Sequence, residues 1–276
     1  MSGFDAAAAA ALLDDATLAA ALDALAAGRP ADAAARARLT AWGLADAGGA
    51  TRAGRTVAYH LMERRTQLDQ GAARELARRL AIGPDSRVLD VGCGAGQTLA
   101  ALAGAAPRLA AGVEVDAAAL ALFGAVCAGA GLRGAGAVRG DAEHLPFADA
   151  SFDRVLCRVV LMFVRVPRAL AEIARVTAPG GLIYLHLTDA WFYLRKLLRG
   201  QVERGGVPLA LVNGALLATA GTQLDAGRGR TMNFQTVAGV ARALERLGCE
   251  IVAVEPASGG RLDPGRRQPK VIARRR

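Results

Sequence analysis

The stretch Arg87-Val-Leu-Asp-Val-Gly-Cys-Gly-Ala-Gly-Gln97 constrains this chain more than any other. Val88, Leu89 and Val91 predict a short buried strand that carries one acid, Asp90, near its end. Gly92-x-Gly94-x-Gly96 follows, and then an apolar helical pattern from Thr98 to Leu102. Glycines at that spacing let the backbone turn sharply and let another group approach without meeting a β-carbon. The next helix would aim its free N–H groups at the same place. Strand, glycine loop and helix in that order predict the carboxyl end of the first strand of an α/β sheet, a nucleotide-type site.

The details separate the ligands. A dinucleotide loop needs G-x-G-x-x-G, and the third glycine position holds Gln97. A phosphate loop ends in Gly-Lys-Ser/Thr, which is absent. Instead an acid stands two residues before the first glycine. Asp90-x-Gly92-x-Gly94-x-Gly96 resembles the first motif of the class I S-adenosylmethionine-dependent methyltransferases. That cofactor has no pyrophosphate to seat, only an amino-acid end and an adenosine.

Three further stretches carry the resemblance, in order, over roughly residues 85–187. Leu109-Ala-Ala-Gly-Val-Glu114-Val-Asp116 reads as a second strand ending in acids. Val138-Arg-Gly-Asp-Ala-Glu-His144-Leu-Pro-Phe147 leads to Ser151-Phe-Asp-Arg-Val-Leu-Cys157. Ala169 to Leu185 reads as a helix, a Pro179-Gly-Gly turn and a fifth strand. Together they resemble the ubiquinone/menaquinone-methyltransferase-like, small-molecule branch.

The resemblance implies a Rossmann-like α/β fold: a mostly parallel seven-stranded sheet with helices on both faces and an antiparallel last strand. It implies S-adenosylmethionine as cofactor and S-adenosylhomocysteine as product. The implied cofactor residues are Asp90, Gly92, Cys93, Gly94, Gly96 and Gln97 in the loop, Glu114 and Val115 at the ribose, and Asp141, Ala142, Glu143 and Cys157 around the adenine. Glu114 would accept the ribose hydroxyls. Asp141 would meet the adenine amino group and the next N–H a ring nitrogen. Cys93 also has a plain packing role, since small residues suit that loop.

Charge is unevenly placed. Residues 1–194 hold 19 Arg against 19 acids, whereas residues 195–276 hold 15 basic residues against 6 acids, the whole of the net +9. A basic region points to an anionic partner or to a solvated surface ending in Arg274-Arg-Arg276. Cys93, Cys127, Cys157 and Cys249 lack metal-ligand spacing, so no metal is expected and reduced cytoplasmic thiols are. The N-terminus carries Asp5, Asp14 and Asp15 without a basic leader, and no apolar run is long enough to read as a membrane span.

Residues 1–66 are expected to form a helical, winged-helix-like segment. Residues 6–28 are alanine-rich, Gly28-Arg-Pro30 breaks the helix, and a second helix runs over about 31–42. The stretch from Gly43 to Ala58 resembles a wing hairpin followed by a helix. By resemblance such a segment covers the substrate or makes a homodimer. Nucleic-acid binding is disfavoured, because only Arg36 and Arg38 give its candidate recognition helix positive charge. Residues 67–276 form the cofactor-binding domain, opened by a helix over 67–84. An insertion at about 189–233 separates strands five and six. Its Trp191-Phe-Tyr-Leu-Arg195-Lys196 run suits a lid over an acceptor pocket, or contact with a membrane surface.

Methyl transfer from a sulfonium is an in-line displacement, so holding the nucleophile in place dominates. A base helps only a protonated acceptor. Catalytic candidates belong at the carboxyl ends of strands four and five. His186 is the candidate base, with a packed, hydrogen-bonded histidine as the alternative. Arg158 could orient an anionic acceptor. Strand four lacks the Asn/Asp-Pro-Pro-Tyr/Phe motif of amino-group DNA methyltransferases. Met162 and Phe163 occupy positions where the family often has two histidines, giving an apolar wall. Glu172 and Arg175, three apart on a helix, read as an ion pair. The expected activity is O- or C-methylation, rather than N-methylation, of a small hydrophobic or anionic molecule. An RNA methyltransferase using the basic C-terminal third, and a non-catalytic cofactor-binding subunit, remain as alternatives.

Overall fold

A computed structural model describes residues 4–67, 70–198, 206–224, 233–255 and 268–276. The fold is Rossmann-like. Among the described residues, seven strands form one mostly parallel sheet, in the order β5-β4-β3-β6-β7-β9-β8 once the two strands of a small separate hairpin are numbered first. The chain forms two compact units, residues 1–85 with 93–139 and residues 86–92 with 140–276.

The first unit opens with α1 (Ala6–Asp14), α2 (Ala16–Ala26) and α3 (Ala33–Ala41). Alanine makes all of 6–28 a good helix former, yet Asp15 cuts it in two. Its N–H closes the last turn of α1 on Ala11, and its carboxylate receives the N–H groups of Thr17 and Leu18 at the start of α2. The expected hairpin is present in miniature: β1 (Ala45–Asp46) pairs antiparallel with β2 (Gly49–Ala50). Thr51 then caps α4 (Arg52–Gln67) through the Gly54 N–H. Next come α5 (Gln70–Arg79), α6 (Gln97–Ala101), β4 (Leu109–Glu114), α7 (Ala117–Gly129) and β5 (Gly136–Arg139). Helix α5 is shorter than the expected 67–84 helix, and Leu68 falls outside the described residues.

The N-terminal helices share a core with α7. Leu12, Leu18, Leu22, Leu39, Leu44, Val57 and Leu61 are buried in one cluster with Leu122, Val126 and Ala95 of the glycine loop. Their apolar faces are therefore used inside this unit. The two arginines of the candidate recognition helix are used as well. Arg36 donates to the carbonyls of Asp46 and Ala47 at the hairpin turn. Arg38 pairs with Asp15 and lies over the Trp42 ring.

The second unit contains β3 (Arg87–Val91), β6 (Phe152–Arg158), α8 (Val166–Val176), β7 (Thr177–His186), α9 (Ala190–Leu198), α10 (Gly206–Ala220), α11 (Val237–Arg246), β8 (Cys249–Glu255) and β9 (Lys270–Arg275). Strands β3, β6 and β7 are parallel, and β9 runs antiparallel to both β7 and β8. The described part of the basic C-terminus is thus a sheet strand. Arg274 and Arg276 pair with Glu250, and Arg275 donates to the carbonyls of Arg175 and Thr177. The side chains of Arg195, Lys196 and Arg199, and residues 225–232 and 256–267, lie outside the described residues.

Removing the side chain of Leu22, which is fully buried, should cost about 2–5 kcal/mol through lost transfer energy and the cavity left behind. Urea denaturation of Leu22→Ala checks it, and an unchanged midpoint would refute the shared core.

Candidate functional site

The glycine loop is built on positive φ. Gly92, Gly94 and Gly96 have φ of 73°, 54° and 81°, a region open to glycine at little cost. The room that glycine leaves is used by the protein itself. A β-carbon on Gly94 would run into the His60 ring, 2.9 Å from its Nδ1, and would lie 3.4 Å from Gln97 Oε1. One on Gly92 would meet the Val160 side chain. Cys93 is a packing residue: its N–H donates to the Val113 carbonyl, and its Sγ lies under Gly112. Helix α6 has only five residues and starts one position before the expected Thr98–Leu102 pattern.

Glu114, at the tip of β4, holds the loop in place. Its Oε2 accepts the Gly94 N–H at 3.0 Å, and its Oε1 accepts the N–H groups of Val115 and Asp116 at 2.8 and 2.9 Å. A carboxylate has about four lone-pair positions, so roughly one remains, on Oε2. Asp116 caps α7 through Ala118 and Ala119. Val115 lies just past the strand and is exposed. Buried Gln97 meets His60 Nδ1 at 3.0 Å through its Nε2 and leaves Oε1 with no partner.

In the second unit, Asp90 is 2% exposed on β3, and Cys157 is fully buried on β6. Burial, reinforced by the neighbouring Asp90 carboxylate, pushes the Cys157 thiol far above its ordinary range. It is therefore an inert packing group. Asp141 is exposed and accepts the Glu143 N–H on Oδ1, a local turn. Ala142 is buried beside it. Glu143 reaches the backbone N–H of Arg165 at 2.9 Å and pairs with its guanidinium. Glu172 and Arg175 pin the following segment: Glu172 accepts the Leu145 N–H, while Arg175 donates to the carbonyls of Leu145 and Phe147 and to Asp149.

The carboxyl ends of β6 and β7 carry a charged row. Register places Arg158 beside His186, His186 beside Lys270, and Lys270 beside Glu255 on four adjacent strands. Burial, and then the positive charges of Arg158 and Lys270, depress the His186 imidazole to about 3. Its Nδ1 is buried without a hydrogen-bond partner. Lys270 pairs with Glu255 at 3.4 Å. Next to Arg158, Val159 has φ of 61°, a strained setting for a β-branched residue that costs on the order of 1–3 kcal/mol. Its N–H donates to the His186 carbonyl.

The comparisons with known proteins fit this geometry. Residues 89–185 match the methyltransferase domain family. That match covers about a third of the chain. A demethylmenaquinone methyltransferase of Mycobacterium sp. is 40% identical over 119 residues, 39% of this chain and 44% of that protein. The uncharacterized methyltransferase YodH of Bacillus subtilis is 37% identical over 111 residues, 40% of this chain and 47% of its own length. The chain thus spans less than half the length of these curated relatives. A solved SAM-dependent methyltransferase of Methanosarcina mazei shares the fold: it is 23% identical with a TM-score of 0.52, over 72% of this chain and 96% of that one.

Three residues outside the matched span have structural partners that no sequence motif signals. His60 lies 34 positions before Gly94 and is brought to the loop by α4; no motif flags it. Lys270 reaches the His186 row only through the antiparallel pairing of β9. Asn233, fully buried, donates from Nδ2 to the carbonyls of Leu161 and Val164, while its own carbonyl accepts the Tyr193 hydroxyl and the Gln235 amide. This knot locks the segment after β6 to α9. The groups of Met162 and Phe163 divide here: Met162 is buried in the knot and Phe163 is exposed.

His186 should show no titration shift between pH 5 and 8 in NMR spectra assigned by comparison with His186→Asn. Its folded value lies below the ordinary 6.5. The stability it contributes is therefore present above about pH 6.5 and lost as pH falls towards 3, by up to about 1.4 kcal/mol per pH unit. A midpoint near 6.5 would overturn the electrostatic description.

Proposed function

We propose that the protein is an S-adenosylmethionine-dependent methyltransferase acting on a small-molecule acceptor, and that the carboxyl ends of β6 and β7 receive that acceptor as an anion. The observation that carries the acceptor half is the Arg158–His186–Lys270 row. The methyltransferase half is supported by the family match over 89–185, and by relatives whose names include a quinone methyltransferase.

The cofactor supplies a methyl group already activated on a sulfonium. The residues of the chain bind and orient. Gly92, Gly94, Gly96 and Gln97 would shape the amino-acid end, with the unpartnered amide atom of Gln97 available to it. Glu114 retains about one acceptor position while it holds Gly94, which suits one ribose hydroxyl. Exposed Asp141 would accept from an adenine amino group, and the Ala142 N–H follows it in the chain. Asp90, Cys93, Glu143 and Cys157 act in this reading by holding backbone and packing, and Val115 through its backbone N–H to Glu114.

The depressed imidazole bears on mechanism. Taking a proton from a phenol-like acceptor of pKa about 10 onto a group at about 3 is uphill by about 10 kcal/mol, so His186 is a poor general base. Burial is the first cause of that depression; the positive charges of Arg158 and Lys270, the second, would lower the pKa of an acceptor hydroxyl beside them. We infer electrostatic selection of the ionised acceptor by Arg158 and Lys270, with neutral His186 as a hydrogen-bonding wall. A protonated amine would be repelled there, which favours oxygen or carbon acceptors. Exposed Phe163 and Trp191 suit an acceptor with an apolar body.

Calorimetric titration with S-adenosylhomocysteine should give saturable binding to the wild type. Gly94→Asp should abolish it, because a charged side chain would strike His60 and strain the loop. Glu114→Ala should weaken it about 10- to 100-fold, through the ribose contact and the freed Gly94 N–H together. A wild type that does not bind sinks the proposal.

A further inference from the structure

His60 is the side chain outside the sequence motifs that touches the glycine loop most directly. It stands on α4, and its ring lies against Gly94 in the room that a β-carbon would fill. Its Nδ1 meets the Gln97 side-chain amide at 3.0 Å. Gln97 is 9% exposed, yet one end of its amide has no partner. An unmade hydrogen bond on a buried amide is unfavourable, so a missing group is the natural explanation. That end also faces Gly94: a β-carbon there would lie 3.4 Å from it.

The chemistry of the missing group follows from the pair. If the Gln97 amide donates to His60, its carbonyl oxygen is left to accept from an ammonium. If the amide is turned over, its N–H groups are left to donate to a carboxylate. An α-amino acid carries both groups. Burial lowers the His60 pKa and keeps the ring neutral against the opposing charges of Glu114, Asp116 and Glu63. Those three carboxylates make the surroundings suit a cation, which the ammonium supplies.

We propose that His60 and Gln97 together receive the amino-acid end of the methyl donor, which makes α4 part of the donor site. The inference rests on the donor-binding reading above and adds to it a residue from the N-terminal segment. That segment then acts on the cofactor itself, in addition to any role as a cover for substrate.

The test uses the full chain and two ligands that share an adenosine and a thioether. S-adenosylhomocysteine has the amino-acid end and 5′-methylthioadenosine lacks it. His60→Ala should lower affinity for S-adenosylhomocysteine about tenfold and leave 5′-methylthioadenosine within about twofold. Gln97→Ala should do the same, and the double variant should lose less than the two losses combined, because the residues act as a pair. His60→Asn, which keeps a polar group near the loop, guards against misfolding and should lose less. Equal weakening of both ligands would mean that His60 only supports the loop, and would overturn the proposal. So would unchanged affinity for S-adenosylhomocysteine. A wild type that binds neither ligand would remove the donor reading, and this inference with it.

Discussion

The Glu114 carboxylate is the contact on which the loop depends. One ionised side chain accepts three backbone N–H groups, those of Gly94, Val115 and Asp116, and so ties the tip of β4 to the glycine loop. Hydrogen bonds to a charged acceptor are roughly twice as strong as neutral ones. The loop cannot be held by its own side chains, because its turning residues have none. An acid at the end of the second strand therefore fixes the loop before any ligand arrives. Asp116 extends the arrangement by capping α7, the helix against which the N-terminal leucines pack.

Much of the fold was legible because its signals are local. An apolar run ending in glycine, an acid at a strand tip and a Pro-Gly-Gly turn are each written in consecutive residues. Strands β3, β4, β6, β7, β8 and β9 fall close to where the sequence predicts them. The N-terminal helices were less legible. Alanine fills both faces of 6–28, so periodicity could not reveal the break, and a single capping carboxylate at Asp15 decides it. The basic C-terminus misled in another way. Arg274 to Arg276 read as a tail by composition, but strand pairing with β7 and β8 and the Glu250 and backbone partners make them structural.

The candidate residues stand in the sequence, but their electrostatic states do not. His186 was visible as a titratable group at a strand end. That it is neutral, with two cations in register on either side, depends on β6 and β9 lying beside β7. Lys270 is 84 residues away in the chain, and no spacing rule connects the two. The same holds for His60. A histidine on an alanine-poor, weakly amphipathic helix has no sequence signature of a binding residue, and only the packing of α4 brings it to Gly94.

These two histidines differ for a physical reason. Both are neutral through burial, but the charges around them have opposite sign. Glu114, Asp116 and Glu63 surround His60, and Arg158 and Lys270 flank His186. The first field favours a cation and the second an anion, the signs that the proposed donor and acceptor would carry. In the proposed reaction neither imidazole would need to move a proton. Its barrier would then depend on alignment and on the exclusion of water from the two charges, which are properties of backbone and packing. Val159, next to Arg158, holds a strained positive φ while its N–H is bonded to the His186 carbonyl, so backbone geometry as well as charge shapes the end of this strand.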